Sequence, residues 1–293
     1  MPTTTILLGI VPPFLIALII LAIAWRPWSA QPARWALAAS ALALALAYAI
    51  TESLIVRAWP GFPPAESHRW LPYAALIAAA GAALWPRQLP KRWSFHDLIA
   101  LALLTFVGWR QLAATGSLAI YIPSLGAFAI PAPVIGALWI LLSATMAGAM
   151  RSDAARLNPC VPRVPLTWII AATAAAITYF QSSELLYAQL AGALATALFS
   201  AAAISLWRPN REVTAGLAPV FSLLYCGLIL ACQTTAISAI ALFLAGSAHA
   251  LAGWPIAAKL PPWLTTALCM LLAAALGVLA IWQSPGGFNF NPY

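Results

Sequence analysis

Charge is what this sequence has least of. Only 7% of its 293 residues are charged, and only six side chains are acidic. A soluble domain carries about 25% charged residues, so an ordinary water-exposed surface is excluded over most of the chain. The hydrophobic residues, 63% of the total, come in long unbroken runs that indicate a lipid bilayer rather than an aqueous core. The fold class is therefore predicted to be an all-α, polytopic membrane protein.

Cysteine and histidine are also scarce, at four and three residues. Their spacing matches no metal site, and the cysteines do not form the pattern of a disulfide framework. Cys226, Cys232 and Cys269 fall inside predicted membrane spans. The sequence also lacks a Ser/His/Asp set, a phosphate-binding loop and a CxxC motif. The first apolar run has no basic leader and no clear cleavage site, so we interpret it as a retained span.

Ten apolar runs are long enough, or nearly so, to cross about 30 Å of hydrocarbon as helices. Pro12 and Pro13 are expected to kink the first span or to delay its start. Residues 232–235 are taken as the break between the eighth and ninth spans. The chain is interpreted as a single integral membrane domain, 1–293. The predicted spans are 5–25, 35–56, 70–85, 96–114, 133–150, 165–181, 184–206, 215–231, 233–251 and 263–282.

The basic residues predict the orientation of these spans. The formal net charge is +8, and most basic residues lie in five alternate loops, which the positive-inside rule assigns to the cytoplasm. Both termini are then outside, and the protein is a multi-pass protein of the cytoplasmic (inner) membrane. The basic residues are spread too thinly to form a nucleic-acid groove, so no nucleic-acid partner is expected.

A segment between the fourth and fifth spans breaks the helical pattern. Residues 116–130 are rich in β-formers, with Pro123 and Gly126 in the middle, which is typical of a turn between two strands. We therefore predict a small external hairpin here.

Several segments share order and composition with segments of one family of membrane enzymes. They are Pro27–Leu37, Gly81–Leu89, the predicted hairpin, Trp139–Leu142, Ala191–Leu194 with Arg208–Glu212, and Ala248–Trp254. With ten spans and both termini outside, the chain resembles the polyprenyl-phosphate N-acetylhexosamine-1-phosphate transferases, which are glycosyltransferase family 4-like membrane proteins. The resemblance implies transfer of a sugar-1-phosphate from a UDP-sugar to undecaprenyl phosphate or a related lipid.

The residues that would perform this chemistry are not matched. The reaction needs Mg²⁺ held by carboxylates. Of the family's histidine-rich fifth loop, only His249 remains. The family's Asp-Asp pair corresponds to Leu84 and Trp85, its two asparagines to Thr145 and Gly148, and its two further aspartates to Arg151 and Gly216. The expectation is a non-catalytic relative, a pseudoenzyme, without a metal site or cofactor.

Three other carboxylates are candidates for a relocated catalytic site, with Mg²⁺ as cofactor only in that case. Asp153 has Arg156 three residues later, which equally indicates a local ion pair. Glu212 has an arginine beside it. Asp97 follows Ser94 by three residues, as in a capping box at a helix start. An active Mg-dependent transferase therefore stays an alternative.

The expected role is that of a membrane subunit or lipid-binding partner in lipid-linked glycan, or cell-envelope polysaccharide, assembly. Its partners would be the bilayer, a protein in a homo- or heterodimer, and polyprenyl phosphate. A ten-span small-solute transporter is the alternative from another class, with Glu52 and Arg110 as its intramembrane charges. Basic loop residues are candidates for binding lipid phosphate, although topology alone also explains them: Arg34, Arg87, Lys91, Arg92, Arg151 and Arg156.

Overall fold

The structure is a bundle of apolar helices. The computed structural model describes residues 3–26, 35–59, 61–64, 66–84, 102–103, 106, 118–122, 126–130, 163–207, 211–232, 234–253 and 259–284. Within them the helices are α1 (Thr3–Trp25), α2 (Ala36–Val56), α3 (Trp70–Leu84), α4 (Arg163–Gln181), α5 (Leu185–Trp207), α6 (Arg211–Ala231), α7 (Ala236–Ser247) and α8 (Pro262–Trp282). Short 3-10 turns, Ser67–Arg69 and Ala248–Gly253, precede α3 and follow α7.

Five of these helices, α1, α2, α4, α5 and α8, are long and apolar enough to cross a membrane. Shorter apolar stretches lie in α3 and α6, and in α7 with its following turn. This is the all-α membrane architecture predicted, and eight predicted spans correspond to these eight helices. The spans predicted at 96–114 and 133–150 lie outside the described residues, apart from residues 102, 103 and 106, which are helical. The count of ten and the orientation stay predictions.

Two details concern helix starts. Helix α1 begins at Thr3 and runs through Pro12 and Pro13, so a start delayed by the prolines is wrong. An unwound stretch inside a bilayer would expose several backbone groups without partners, whereas an interior proline removes only one hydrogen bond.

The predicted break after α6 is present. The hydroxyl of Thr235 accepts a hydrogen bond of 3.2 Å from the backbone N–H of Ser238 and caps the start of α7.

Side-chain contacts align the helix ends into two opposite ends of the bundle. At the first, which we call the Glu52 end, Thr235 Oγ1 donates to the carbonyl of Gln283 at 2.9 Å. Ser284 Oγ donates to Gln181 Oε1 at 2.8 Å. These bonds bring the start of α7 and the ends of α4 and α8 together, and α2 also ends here at Val56.

At the opposite end, which we call the Arg163 end, Arg163 Nε donates to Thr266 Oγ1 at 3.1 Å. The indole N–H of Trp25 donates to Ser40 Oγ at 2.7 Å. These contacts join the start of α4 to the start of α8, and the end of α1 to the start of α2. Trp25 is completely buried, unlike the exposed tryptophans near other helix ends.

Small residues let the helices approach closely. A Cβ atom placed on Gly277 of α8 would lie 2.6 Å from the Cβ of Ala174 in α4. A Cβ on Gly227 of α6 would overlap the Leu71 side chain of α3. Small residues thus allow close contacts between helices, and these contacts position the polar side chains described below.

The two strands, β1 (Leu118–Ile122) and β2 (Gly126–Ile130), pair antiparallel with Leu118 opposite Ile130 and Ile122 opposite Gly126. They lie within the segment 116–130 for which the sequence predicts a hairpin. That they face the outside stays a prediction.

Candidate functional site

Most residues proposed from the sequence for chemistry or lipid phosphate binding lie outside the described residues. Glu212 is the second residue of α6, at the Arg163 end. The predicted roles of this whole set stay predictions. The residues outside are Asp97, Asp153, Arg110, Arg34, Arg87, Lys91, Arg92, Arg151 and Arg156.

Polar side chains do converge at the Glu52 end of the bundle. Glu52 is only 1% exposed, although it lies just four residues before the end of α2. Tyr48 is also 1% exposed. The spacing of four residues places both side chains on one face of the helix. That face is turned into the bundle, so a carboxyl group and a phenol are brought together inside the protein.

Charged groups beside Glu52 come from the turn before α3. Glu66 forms an ion pair with Arg69, with 2.9 Å between Glu66 Oε2 and Arg69 Nε, and the same oxygen lies 3.4 Å from His68 Nε2. Arg69 and Glu66 are the charges that act most strongly on Glu52. Burial lowers the pKa of His68, with Glu66 opposing this shift and Arg69 adding to it. His68 is therefore neutral at neutral pH.

Two further tyrosines complete the cluster. Tyr179 lies near the end of α4 and Tyr187 near the start of α5. Tyr48 is within electrostatic reach of Glu52 and Tyr187, and Tyr179 is within reach of Tyr48. The His68 ring meets the Tyr187 ring edge-on, with 5.5 Å between centroids. Side chains from α2, α4, α5 and the turn before α3 thus form one buried polar cluster, which we call the Glu52 cluster.

Five polar atoms of this cluster have no hydrogen-bond partner among the described residues. They are Glu52 Oε2, Tyr48 Oη, Tyr179 Oη, His68 Nε2 and Arg69 Nε. Buried polar groups are nearly always hydrogen-bonded, because burial without a partner costs several kcal/mol of free energy. Five such atoms within one cluster make it the candidate functional site of the described part of the chain.

Sequence reasoning found part of this cluster. Glu52 was singled out as an intramembrane acid. In the structure it is buried, with Arg69 and Glu66 as its charged neighbours, whereas Arg57 is exposed. The tyrosines were missed. The only local signal for them is the four-residue spacing of Tyr48 and Glu52, since the other partners come from distant helices.

The Arg163 end has a second set of buried polar side chains. Besides its bond to Thr266, Arg163 Nη2 lies 3.5 Å from the carbonyl of Pro262. His249 is fully buried; its Nδ1 lies 3.0 Å from the carbonyl of Gly246, and its ring meets Trp168 edge-on at 5.7 Å. These contacts hold the starts of α4 and α8 against the turn after α7, so a structural role accounts for them.

The comparisons with known proteins give no match: no family model, no curated protein and no solved structure is similar to this chain. Function must therefore be inferred from the residues themselves.

Proposed function

We propose that this protein is a non-catalytic relative of the UDP-sugar:polyprenyl-phosphate sugar-1-phosphate transferases. It acts as a membrane subunit or lipid-binding partner in lipid-linked glycan assembly at the cytoplasmic membrane. The observation that supports this proposal is the order of the elements. Among the described elements, the β pair lies between the third and fourth helices, within the segment for which the resemblance predicts an external hairpin.

The proposed loss of catalysis follows from side-chain chemistry. A magnesium ion that bridges pyrophosphate oxygens is held by carboxylates. Leucine at position 84 offers no such ligand, and the positive charge of Arg151 would repel the ion. The basic loops retain the chemistry needed to attract a lipid phosphate.

Gentle purification from the native membrane tests this role, with proteins and lipids identified together by mass spectrometry. We expect an enzyme of glycan assembly, a polyprenyl phosphate, or both to be recovered with the protein. Replacing Arg87, Lys91 and Arg92 by glutamine should reduce the polyprenyl phosphate recovered. Arg57→Gln is the control, because Arg57 is an exposed cation that the predicted topology places on the other side of the membrane, and it should leave recovery unchanged. Recovery of the protein with neither partner contradicts the proposal.

The active-enzyme alternative has its own test. Purified protein should not exchange UMP with a UDP-sugar in the presence of Mg²⁺. Exchange that depends on Mg²⁺ and is abolished by Asp153→Asn would replace the pseudoenzyme proposal by a transferase with relocated carboxylates.

A small-solute transporter is the second candidate, and the buried Glu52 cluster is the observation that favours it. Ionisable groups inside membrane helices commonly mark solute or ion pathways. Transporters of the ten-span drug/metabolite exporter type have both termini in the cytoplasm. Labelling an introduced C-terminal cysteine from the outside distinguishes the two: labelling supports the glycan-assembly proposal, and protection favours the transporter.

A further inference from the structure

We propose that Glu52 is a proton-binding site whose proton is exchanged for the charge of Arg69. While Arg69 is paired with Glu66, the buried carboxyl group of Glu52 carries a proton. When Arg69 turns from Glu66 to Glu52, the proton leaves the carboxyl oxygen for water at the Glu52 end, and an ion pair between Glu52 and Arg69 remains. This inference does not depend on the role in glycan assembly, since it rests only on described residues.

Glu52 lacks the surroundings that an ionised carboxylate requires. The residue is 1% exposed, and its Oε2 has no hydrogen-bond partner among the described residues. Within the same residues, both ion pairs belong to Glu66 and neither to Glu52. Transfer of an isolated carboxylate from water to such a place is strongly unfavourable, and the group takes up a proton instead. The protonated carboxyl is therefore the form that fits this conformation.

The arginines at this end leave Glu52 without a counter-charge of its own. Arg57 is exposed. Arg69 acts on Glu52 electrostatically, but so does Glu66, and Arg69 Nε lies only 2.9 Å from Glu66 Oε2. A nearby positive charge favours the ionised form of a carboxyl group and a nearby negative charge opposes it. Because the two charges approach Glu52 as a pair, their effects on it largely cancel.

The direction of α2 also favours the protonated form. Glu52 lies in the last turn of this helix, four residues before Val56. The C-terminal end of a helix carries a partial negative charge of about half an elementary charge. This partial charge repels a carboxylate, whereas a neutral carboxyl group avoids the repulsion.

Arg69 is able to exchange partners because its pair with Glu66 is partly open to water. The Glu66 side chain is 56% exposed and the Arg69 side chain 29% exposed, and ion pairs of this kind contribute only about 0–1 kcal/mol. The attraction between Arg69 and an ionised Glu52 would act in a less polar medium, where the Coulomb energy of a pair is larger. Loss of the proton and movement of Arg69 towards Glu52 therefore favour each other.

Helices α1, α3, α5 and α6 pack against α2, and α1 has no titratable side chain. Since His68 is neutral, Arg69 is the cation that these elements bring to Glu52 within the described residues. The titratable and charged groups around Glu52 are Tyr48 on α2 itself, Glu66, His68 and Arg69 before α3, Tyr73 in α3, Tyr179 in α4, Glu184 and Tyr187 at the start of α5, and Cys232 after α6.

Infrared difference spectroscopy of the purified protein in detergent, recorded as a function of pH, tests the proposal. A protonated carboxyl group has a carbonyl band that carboxylates lack. We expect such a band at neutral pH, and we expect it to disappear as the pH rises. Glu52→Gln should abolish this band, which assigns the proton to Glu52.

Two variants test the exchange of Arg69 between the two acids. Glu66→Gln frees Arg69 and should lower the pH at which half of the band is lost by about one unit, which is a tenfold fall in proton affinity or about 1.4 kcal/mol. Arg69→Gln leaves Glu66 uncompensated and should raise that pH by a similar amount. Glu184→Gln is the control, because it removes an acid from the same end that forms no ion pair with Arg69 among the described residues, and it should leave the titration unchanged.

If Glu52→Gln does not fold, the opposite shifts in Glu66→Gln and Arg69→Gln still test the site, since the Glu66 side chain is more than half exposed. The proposal is overturned if the wild-type protein has no protonated carboxyl group at neutral pH, or if the band survives Glu52→Gln. It is also overturned if Glu66→Gln shifts the titration of the band no more than Glu184→Gln does.

Discussion

A close approach of two helix backbones gives a quantitative test of the bundle. A Cβ added at Gly277 in α8 would lie 2.6 Å from the Cβ of Ala174 in α4, whereas ordinary contacts begin at 3.4 Å. The difference is 0.8 Å. The Cβ of Ala174 is fixed to the backbone and cannot rotate away, so the two helices must separate. Overpacking of this kind costs about 1–3 kcal/mol, and Gly277→Ala should destabilise the folded protein by that amount.

Reversible unfolding in mixed detergent micelles measures this loss. Gly192→Ala in α5 is the matched control, because a Cβ there meets nothing within 4 Å; it should leave the free energy of unfolding unchanged or raise it by up to about 1 kcal/mol, since alanine has the higher helix propensity. Ala174→Gly in the Gly277→Ala background removes the clashing atom and should restore most of the lost stability, as a double-mutant cycle reveals. The packing of α8 against α4 is refuted if Gly277→Ala is as stable as Gly192→Ala.

Three further predictions follow from single contacts. Ser40→Ala removes the 2.7 Å bond from Trp25 and should lower the free energy of unfolding by about 1 kcal/mol; an unchanged value in the same unfolding assay contradicts this contact. Thr235→Ala removes the cap of α7 and should cost about 1 kcal/mol, whereas Thr235→Ser, which keeps the hydroxyl, should not. Burial lowers the pKa of His68 in the folded protein from 6.5. The free energy of unfolding should therefore be highest above pH 6.5 and should decrease as the pH falls towards the lowered pKa of the folded state. His68→Gln should therefore flatten the decline in melting temperature between pH 7 and pH 5, and an equal slope in both proteins excludes this origin.

Helix positions were predictable because they depend on local sequence. Apolar runs of bilayer length gave the eight described helices to within a few residues, and Thr235 marked the start of α7. The prediction for Pro12 failed in part because the cost of an unsatisfied backbone in lipid outweighs the cost of an interior proline. The hydrogen bond from Trp25 to Ser40 was not predictable, because it depends on how two helices meet.

The Glu52 cluster was only partly predictable for the same reason. An acid within an apolar run is visible in the sequence, and Tyr48 four residues earlier is a local signal. Tyr179 and Arg69 come from other elements. Their proximity to Tyr48 and Glu52 depends on how the helices pack, which no periodic pattern or residue spacing in the sequence indicates. The residues suggested by family resemblance lie mostly outside the described part of the chain, so that hypothesis depends on experiment.

The central functional claim, a lipid-binding partner without catalysis, is tested most directly by native mass spectrometry of the purified protein. Undecaprenyl phosphate and phosphatidylglycerol are added in equal amounts, with Mg²⁺ and a UDP-sugar present. The account predicts preferential retention of the polyprenyl phosphate and no transfer of sugar-1-phosphate to it. Equal retention of both lipids, or formation of a lipid-linked sugar, contradicts the account.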